Sequence, residues 1–382
     1  MSFTGKATYS GGVELPEIAE DVSDLVSIVS PHETPLLDAL GEAMRVSRST
    51  VHEWLEDELL PNFDTIVGEV GNANTAVTIG VANVNRFRVG DQVRQADETE
   101  AMLVTEVDAI NGTISVIRGY GGSSRGDLVA GRQLHILGNA ALEGDSADAA
   151  RFTIRSRRQN CTQIFSATVE VSGSELASRQ LGLTDEMNYQ KQLRVRELLR
   201  DLENSVINGR SSDAVPSGMA ARRTMNGLLA MIQTNVLTPG QNGLPAGVLT
   251  EETLSAALRH IWMSSGSPVD LVVVGAAQKR RINQFTASNR RFAPADDRYR
   301  DMINVIETDF GVCRVVLSRY VPANSVLLLD SSRIEVMPLS GRSFFYKPLA
   351  STGDREAGQI VGEYTLELRN ENAHGVITGL EA

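Results

Sequence analysis

Apolar positions along the chain recur at two periods, and the places where the period changes divide it into segments. Between 16 and 29, Ile18, Val22, Leu25, Val26 and Val29 keep helical spacing. Thr34-Pro35 then reads as an N-cap followed by proline at the first helical position. Leu36, Leu37 and Leu40 face inward, and Gly41 is the stop. The two helices carry apolar stripes but too few residues for a core, so they must lie on another surface. From 47 to 60 the chain reads as extended, with Val51, Trp54 and Leu55 set among Glu53, Glu56, Asp57 and Glu58.

A compact β module follows. Strand-like runs at 75–81, 86–93, 101–110, 113–120 and 132–138 put about five short strands into roughly 70 residues, the pattern of a small barrel or sandwich. Asn111-Gly112 predicts a type I′ hairpin between two of them. Beyond 149 the chain is extended again, with apolar Phe152, Ile154, Ile164, Val169 and Val171. A strand of about 20 residues would be roughly 65 Å long, so it must bend or project as an arm. The module therefore sits between an acidic outgoing segment and a return rich in arginine: Arg151, Arg155, Arg157 and Arg158.

A long amphipathic helix is predicted over 184–208, with Thr184 as its cap and Asp185 and Glu186 in its first turn. Leu193, Val195, Leu198, Leu199, Leu202 and Val206 form its stripe. From 222 the pattern becomes α/β. Thr250 caps a helix to 264, and "VDLVVVG" is a continuous apolar run, hence a buried strand. "AAQKRRINQFT" is helical, and strands follow in "MINVIETDFG", "VCRVVLSRYVP" and "SVLLLD". "GQIVGEYTLELRNENAHGVITGL" reads as one last extended segment. The fold class is α+β.

Length and charge narrow the function. The 382 residues suffice for two or three domains. A net charge of −12 argues against a dedicated nucleic-acid reader. Only Lys6, Lys191, Lys279 and Lys347 are lysines, so the positive charge is almost all arginine, the type suited to paired contacts at interfaces. Cys161 and Cys313 stand alone, without CxxC spacing, as expected for reduced thiols. No signal peptide and no membrane span is expected.

Catalytic chemistry finds no support. Phosphate-binding glycine motifs, HExxH and CxxC are all missing, and the five histidines are isolated. His32-Glu33 reads as a helix-entry turn and Asp296-Asp297 as a solvated loop. The pairs Arg157-Arg158, Arg222-Arg223 and Arg290-Arg291 and the run Lys279-Arg280-Arg281 are short and lack interleaved aromatics. No enzyme, cofactor or metal is expected. Scattered arginines facing acidic patches are a pattern of subunit interfaces. Glu53, Glu56 and Asp57 are accordingly paired with Arg155, Arg157 and Arg158 as contacts within or between subunits.

The order of these segments resembles a tailed-bacteriophage major capsid protein of the Hong Kong 97-like fold, over nearly the whole chain. The likeness is carried by "VSPHETPLLDALG", "TIRSRRQNCTQIFSATVEVSGSELA", "DEMNYQKQLRVRELLRDLENSVINGR", "VVLSRYVPANSVLLLD" and "GEYTLELRNENAHGVITGL". It implies an N-terminal arm at 1–46 and an extended loop at 47–67 and 149–165, with the β module of 68–148 inserted at its tip. It further implies a peripheral domain at 166–222 and 341–382 and an axial domain at 223–340. The implied function is self-assembly into hexamers and pentamers of an icosahedral virion shell around double-stranded DNA, formed in the host cytoplasm. Portal and scaffold proteins are the implied partners, and a decoration protein is a further candidate. An encapsulin-like nanocompartment shell is the alternative. Some relatives join a lysine to an asparagine between subunits, but no lysine lies between Arg45 and Asn160, so a non-crosslinked shell is expected.

Overall fold

The computed structural model describes residues 34–41, 43–71, 76–144, 153, 155–177, 186–211, 222–241, 243–289, 305–350 and 353–381. The expected helix at 16–29, His32-Glu33, Thr184, Asp185 and the loop with Asp296-Asp297 lie outside these residues. The chain forms two compact units, Met1–Trp54 with Arg157–Ala382, and Leu55–Ser156.

The first described elements are the short helix α1 (Pro35–Leu40) and the strand β1 (Val51–Glu56). Thr34 stands at the N-cap of α1, but its side chain makes no capping bond.

The second unit is built around a closed six-stranded barrel. Its strands are β2 (Phe63–Val67), β3 (Ala76–Val81), β4 (Asp91–Gln95), β5 (Met102–Asp108), β6 (Thr113–Ile117) and β7 (Gln133–Asn139), in the order β2-β3-β6-β5-β4-β7. Alternate side chains fill the interior: Ile66, Ile79, Val93, Met102, Val104, Ile114, Val116 and Leu134. The sixth strand, β2, comes from residues the sequence pattern left in the extended loop. Its Asp64 is buried, held by the Asn83 amide at 2.6 Å and Arg86 at 3.1 Å. A buried pair closes one side. Arg118 donates to both Glu100 oxygens, at 3.0 and 2.6 Å, and to the carbonyls of Gly71 and Gly126. Glu100 also accepts the Gly119 and Gly126 amides, each at 3.0 Å.

The β5–β6 connection differs from the expected two-residue turn. Asp108 faces Thr113, leaving a four-residue loop in which Gly112 has φ +66° and Asn111 does not have positive φ. The Asp108 carboxylate explains this: it accepts the Ile110 and Asn111 amides at 2.9 and 3.1 Å, which curls the loop so that only Gly112 needs the left-handed region.

In the first unit, the long return segment is two strands, β8 (Ser156–Cys161) and β9 (Gln163–Ser172). Next come α2 (Gly173–Ala177), the long helix α3 (Glu186–Asn208), α4 (Leu228–Met231), the two-residue β10 (Val236–Leu237) and α5 (Glu251–Ser265). β11 (Leu271–Val274), α6 (Ala276–Asn289), β12 (Val305–Thr308), β13 (Gly311–Leu317) and β14 (Val326–Leu329) complete the α/β region. β15 (Ile334–Pro338), β16 (Phe345–Pro348), β17 (Arg355–Leu368) and β18 (Gly375–Ile377) end the chain. The expected cap of α5 is present: Thr250 accepts the Thr253 amide at 3.1 Å.

Two sheets organise this unit. One has the order β10-β18-β14-β11-β13-β12; in the other, β17 pairs with β15, β16 and β9. The closing segment, expected as one strand, serves both: β17 belongs to the second sheet and β18 to the first. The stripe of α3 (Leu198, Leu202, Val206, Ile207) shares a core with Leu271, Val273, Leu327 and Leu329 of one sheet and Phe165, Val169, Ile360, Leu366 and Leu368 of the other. The opposite face of the six-stranded sheet, with Val272, Val274, Val326 and Leu328, packs against Leu254, Leu258, Ile261 and Ile282. "VDLVVVG" reads as a continuous apolar run because β11 is buried on both faces.

Candidate assembly interface

β1 and β8 pair as a two-stranded ribbon. Burial alternates along β1: Val51, Glu53 and Leu55 are exposed, whereas Trp54 and Glu56 are buried. A strand turns successive side chains to opposite faces, so Glu53 and Glu56 do not share a face. Within the first unit Arg157 stands 3.6 Å from Glu53, and within the second Arg155 Nε stands 3.4 Å from Asp57. Asp57 also accepts the Thr153 hydroxyl at 2.7 Å; that bond, with Arg155 assisting, holds its carboxyl below the usual range. Arg158 also reaches an acid outside the expected set. It lies 3.9 Å from Glu371, which also accepts the Gln233 amide and the Thr234 hydroxyl. These side chains are 43–69% exposed in the two ribbon pairs, so solvent screens them and neither pair contributes much to the stability of the subunit.

The root of the ribbon is held far more firmly, by residues the composition did not single out. β17 turns Tyr364, Leu366 and Leu368 towards the apolar core and Glu363, Thr365 and Glu367, all buried, the other way. Glu363 accepts the Thr162 hydroxyl at 2.6 Å and Arg223 at 2.7 Å, with Arg342 at 2.8 Å. Thr365 donates to the Cys161 carbonyl at 3.1 Å. Glu367 meets His52 Nε2 at 2.6 Å and Arg45 at 2.8 Å. Burial pushes the Glu367 carboxyl up, but the bonds to His52 and Arg45 outweigh it and hold the pKa below the usual value. Arg45 in turn is raised by its bonds to Glu367 and Glu335.

This clamp explains why the return segment breaks at Thr162. There the backbone leaves β1, donating from the Thr162 amide to the Thr50 carbonyl at 2.8 Å, and begins its pairing with β17 at Gln163. Asn160 seals the corner: its Nδ2 donates to the Asn226 and Leu366 carbonyls, and its Oδ1 accepts the Asn226 amide. The signal for the clamp was present as the period-2 run Glu363-x-Thr365-x-Glu367, alternating with Tyr364, Leu366 and Leu368.

An exposed, charged ribbon fixed at its root by buried carboxylates is suited to reaching another molecule. Among the described residues no group of three or more His, Cys, Asp or Glu is placed to hold a metal ion, and no helix is long and apolar enough to cross a membrane. The family model of the SU10 major capsid protein matches residues 3–381.

The chain belongs to the SU10 major capsid protein family. It is a phage-type major capsid protein, and its family places it among the structural proteins of the virion. The solved capsid of a native GTA particle shares the fold, with a TM-score of 0.55 at 10% identity over 100% of both chains. Gordonia phage Cozz gives a TM-score of 0.52 at 11% identity, over 100% of this chain and 99% of that one. The SrpI encapsulin of Synechococcus elongatus is also similar, with a TM-score of 0.43 at 13% identity over 60% of this chain and 78% of that one. No curated protein matches the sequence.

Proposed function

We propose that this capsid protein assembles through hexamers and pentamers into an icosahedral shell enclosing double-stranded DNA. The observation that carries the proposal is the β1–β8 ribbon, a two-stranded pair with Val51, Leu55, Glu53 and Arg157 exposed along it. A paired ribbon with exposed apolar and charged side chains gains from a neighbour that covers it.

In this reading 1–46 is the N-terminal arm and 47–67 with 149–165 the extended loop. Residues 68–148 are the inserted β module, 166–222 with 341–382 the peripheral domain and 223–340 the axial domain. The module adds contact area between subunits. Glu53, Glu56, Asp57, Arg155, Arg157 and Arg158 lie along or beside the overlap, and the same charges that pair within one chain can exchange partners with the next. DNA is held by non-specific contact. Portal and scaffold proteins complete the head, with a decoration protein as a further candidate. Assembly takes place in the host cytoplasm, and the protein is not an enzyme. With no lysine in the loop the shell is held without covalent links between subunits.

Negative-stain microscopy of the expressed protein tests the proposal, with analysis of what the particles contain. Rings, sheets or spherical shells that protect DNA are expected. Shells filled with a protein cargo would replace this reading by the nanocompartment one, and a small stable monomer would remove both.

A further inference from the structure

Three Asn-Gly bonds have both residues described, and the structure treats them differently; the fourth, Asn242-Gly243, lies partly outside the described residues. Asn-Gly is the sequence in which the backbone nitrogen of the glycine can reach the asparagine carboxamide, because no side chain on the following residue stands in the way. Whether it does so depends on two things: the freedom of that nitrogen and the freedom of the loop.

Gly209 and Gly227 are tied down. The Gly209 amide donates to the Ser205 carbonyl at 2.9 Å, at the end of α3, and the Gly227 amide donates to the Gly209 carbonyl at 2.9 Å. A side-chain carbon added at either glycine would fall within 3 Å of backbone atoms, so both loops are closely packed. Asn208 is held by Asn204 and the Tyr320 carbonyl, and Asn226 by the Ser211 amide.

Gly112 is the opposite case. It lies in the exposed β5–β6 loop with φ +66°, and a side-chain carbon added there would stand 3.9 Å from its nearest neighbour, the Val81 carbonyl oxygen. Among the described residues its amide has no acceptor, although the neighbouring amides of Ile110 and Asn111 both have one. Asn111 itself is exposed, and one bond holds its carboxamide: Nδ2 to Asp108 Oδ2 at 2.7 Å.

We propose that Asn111 is a deamidation site of this protein. The Gly112 nitrogen, losing its proton to water, attacks Asn111 Cγ. A C–N bond forms, the Cγ–Nδ2 bond breaks, and Nδ2 departs as ammonia after taking up a proton. The resulting five-membered imide is opened by water at either carbonyl, which leaves aspartate or its β-linked isomer at position 111. No oxidant or enzyme takes part. The product replaces a donor to Asp108 with a carboxylate, so two like charges meet where a hydrogen bond held the turn. The β-linked isomer also inserts an extra backbone carbon into the β5–β6 loop. The reaction therefore marks the age of the subunit and loosens this hairpin in one direction only. The proposal does not depend on the shell reading.

Peptide mass spectrometry of the full chain, aged in neutral and in mildly alkaline buffer, tests it. Conversion at Asn111 should be at least about tenfold faster than at Asn208 and Asn226, because those bonds must first open locally. The rate should rise with pH, since the attacking nitrogen must lose a proton. Asp108→Ala should accelerate conversion by freeing the carboxamide, and Asn111→Ser should abolish the signal while the chain stays folded. Equal rates at the three sites, or conversion of Asn208 or Asn226 while Asn111 stays intact, would overturn the proposal.

Discussion

Glu203 caps helix α1 from across the fold: its Oε2 accepts the Leu36 amide at 3.1 Å, from a residue 167 positions away in sequence. The same oxygen accepts the Leu37 amide at 3.3 Å, and Oε1 accepts the Ser318 hydroxyl at 3.0 Å. The carboxyl takes the role expected of Thr34, because a helix of six residues still has orphan amides at its start. Burial pushes the Glu203 pKa up to about 7, against these hydrogen bonds and helped by Asp38.

The sign of the pH effect follows. The folded chain holds a proton on Glu203 that the unfolded chain releases above about pH 4.5. Its contribution is full below that value and is lost as pH rises through about 7, a difference of the order of 3 kcal/mol. Glu203→Gln keeps an acceptor for the two amides and cannot ionise. Urea midpoints of this variant should therefore lack the decline between pH 4.5 and 7 that Glu203 gives the native chain.

His374 contributes the opposite slope. It is fully buried, its Nδ1 accepts the Asp330 amide at 3.1 Å, and burial lowers its pKa to about 4 despite Asp330 and Asp270 nearby. The folded chain keeps it neutral, so its contribution is present above pH 6.5 and lost as pH falls through about 4. His374→Gln should flatten the acid side of the stability curve, measured by the same urea midpoints. A variant curve that follows the native one on the acid side would contradict the assignment.

The barrel rests on one ion pair that cannot be half removed. Arg118 and Glu100 are both buried, and burial of the Glu100 carboxyl is outweighed by Arg118 and two amides, which hold its pKa below the usual value. Arg118→Met leaves Glu100 buried without its cation and should cost about 3–5 kcal/mol; Glu100→Leu with Arg118→Met should recover much of that. Hydrogen exchange in β3 to β7 reads the effect within the barrel. An Arg118→Met barrel as protected as the native one would refute it.

Much of this architecture was legible from period alone. The β module, α3, α5 and the buried β11 all announced themselves, because each buries one face or both and so leaves a clean apolar pattern. What escaped was set by long-range partners. β2 joins the barrel through Leu134 and Val81, far along the chain, and nothing within its five residues separates a barrel strand from an arm. β17 and β18 looked like one strand because the six-residue break between them carries no proline or glycine. The charged ribbon was visible as composition, whereas the contact of Arg158 with Glu371 depends on where β17 ends.

The exposed charges of the ribbon matter through repetition. Reversing Arg157 and Arg158 to glutamate removes exposed pairs worth at most about 1 kcal/mol each, so the subunit should unfold at nearly the native temperature. Repeated over many copies of the interface, the same change should suppress assembly, read by light scattering. Normal scattering from the reversed variant would remove these arginines from the interface.

The central claim is that the chain is built to associate with itself into a closed shell. Sedimentation velocity of the purified full chain over a range of concentrations tests this most directly. The account predicts a discrete, fast-sedimenting particle, with ring-sized species between it and the subunit. A single subunit-sized boundary at every concentration would contradict it.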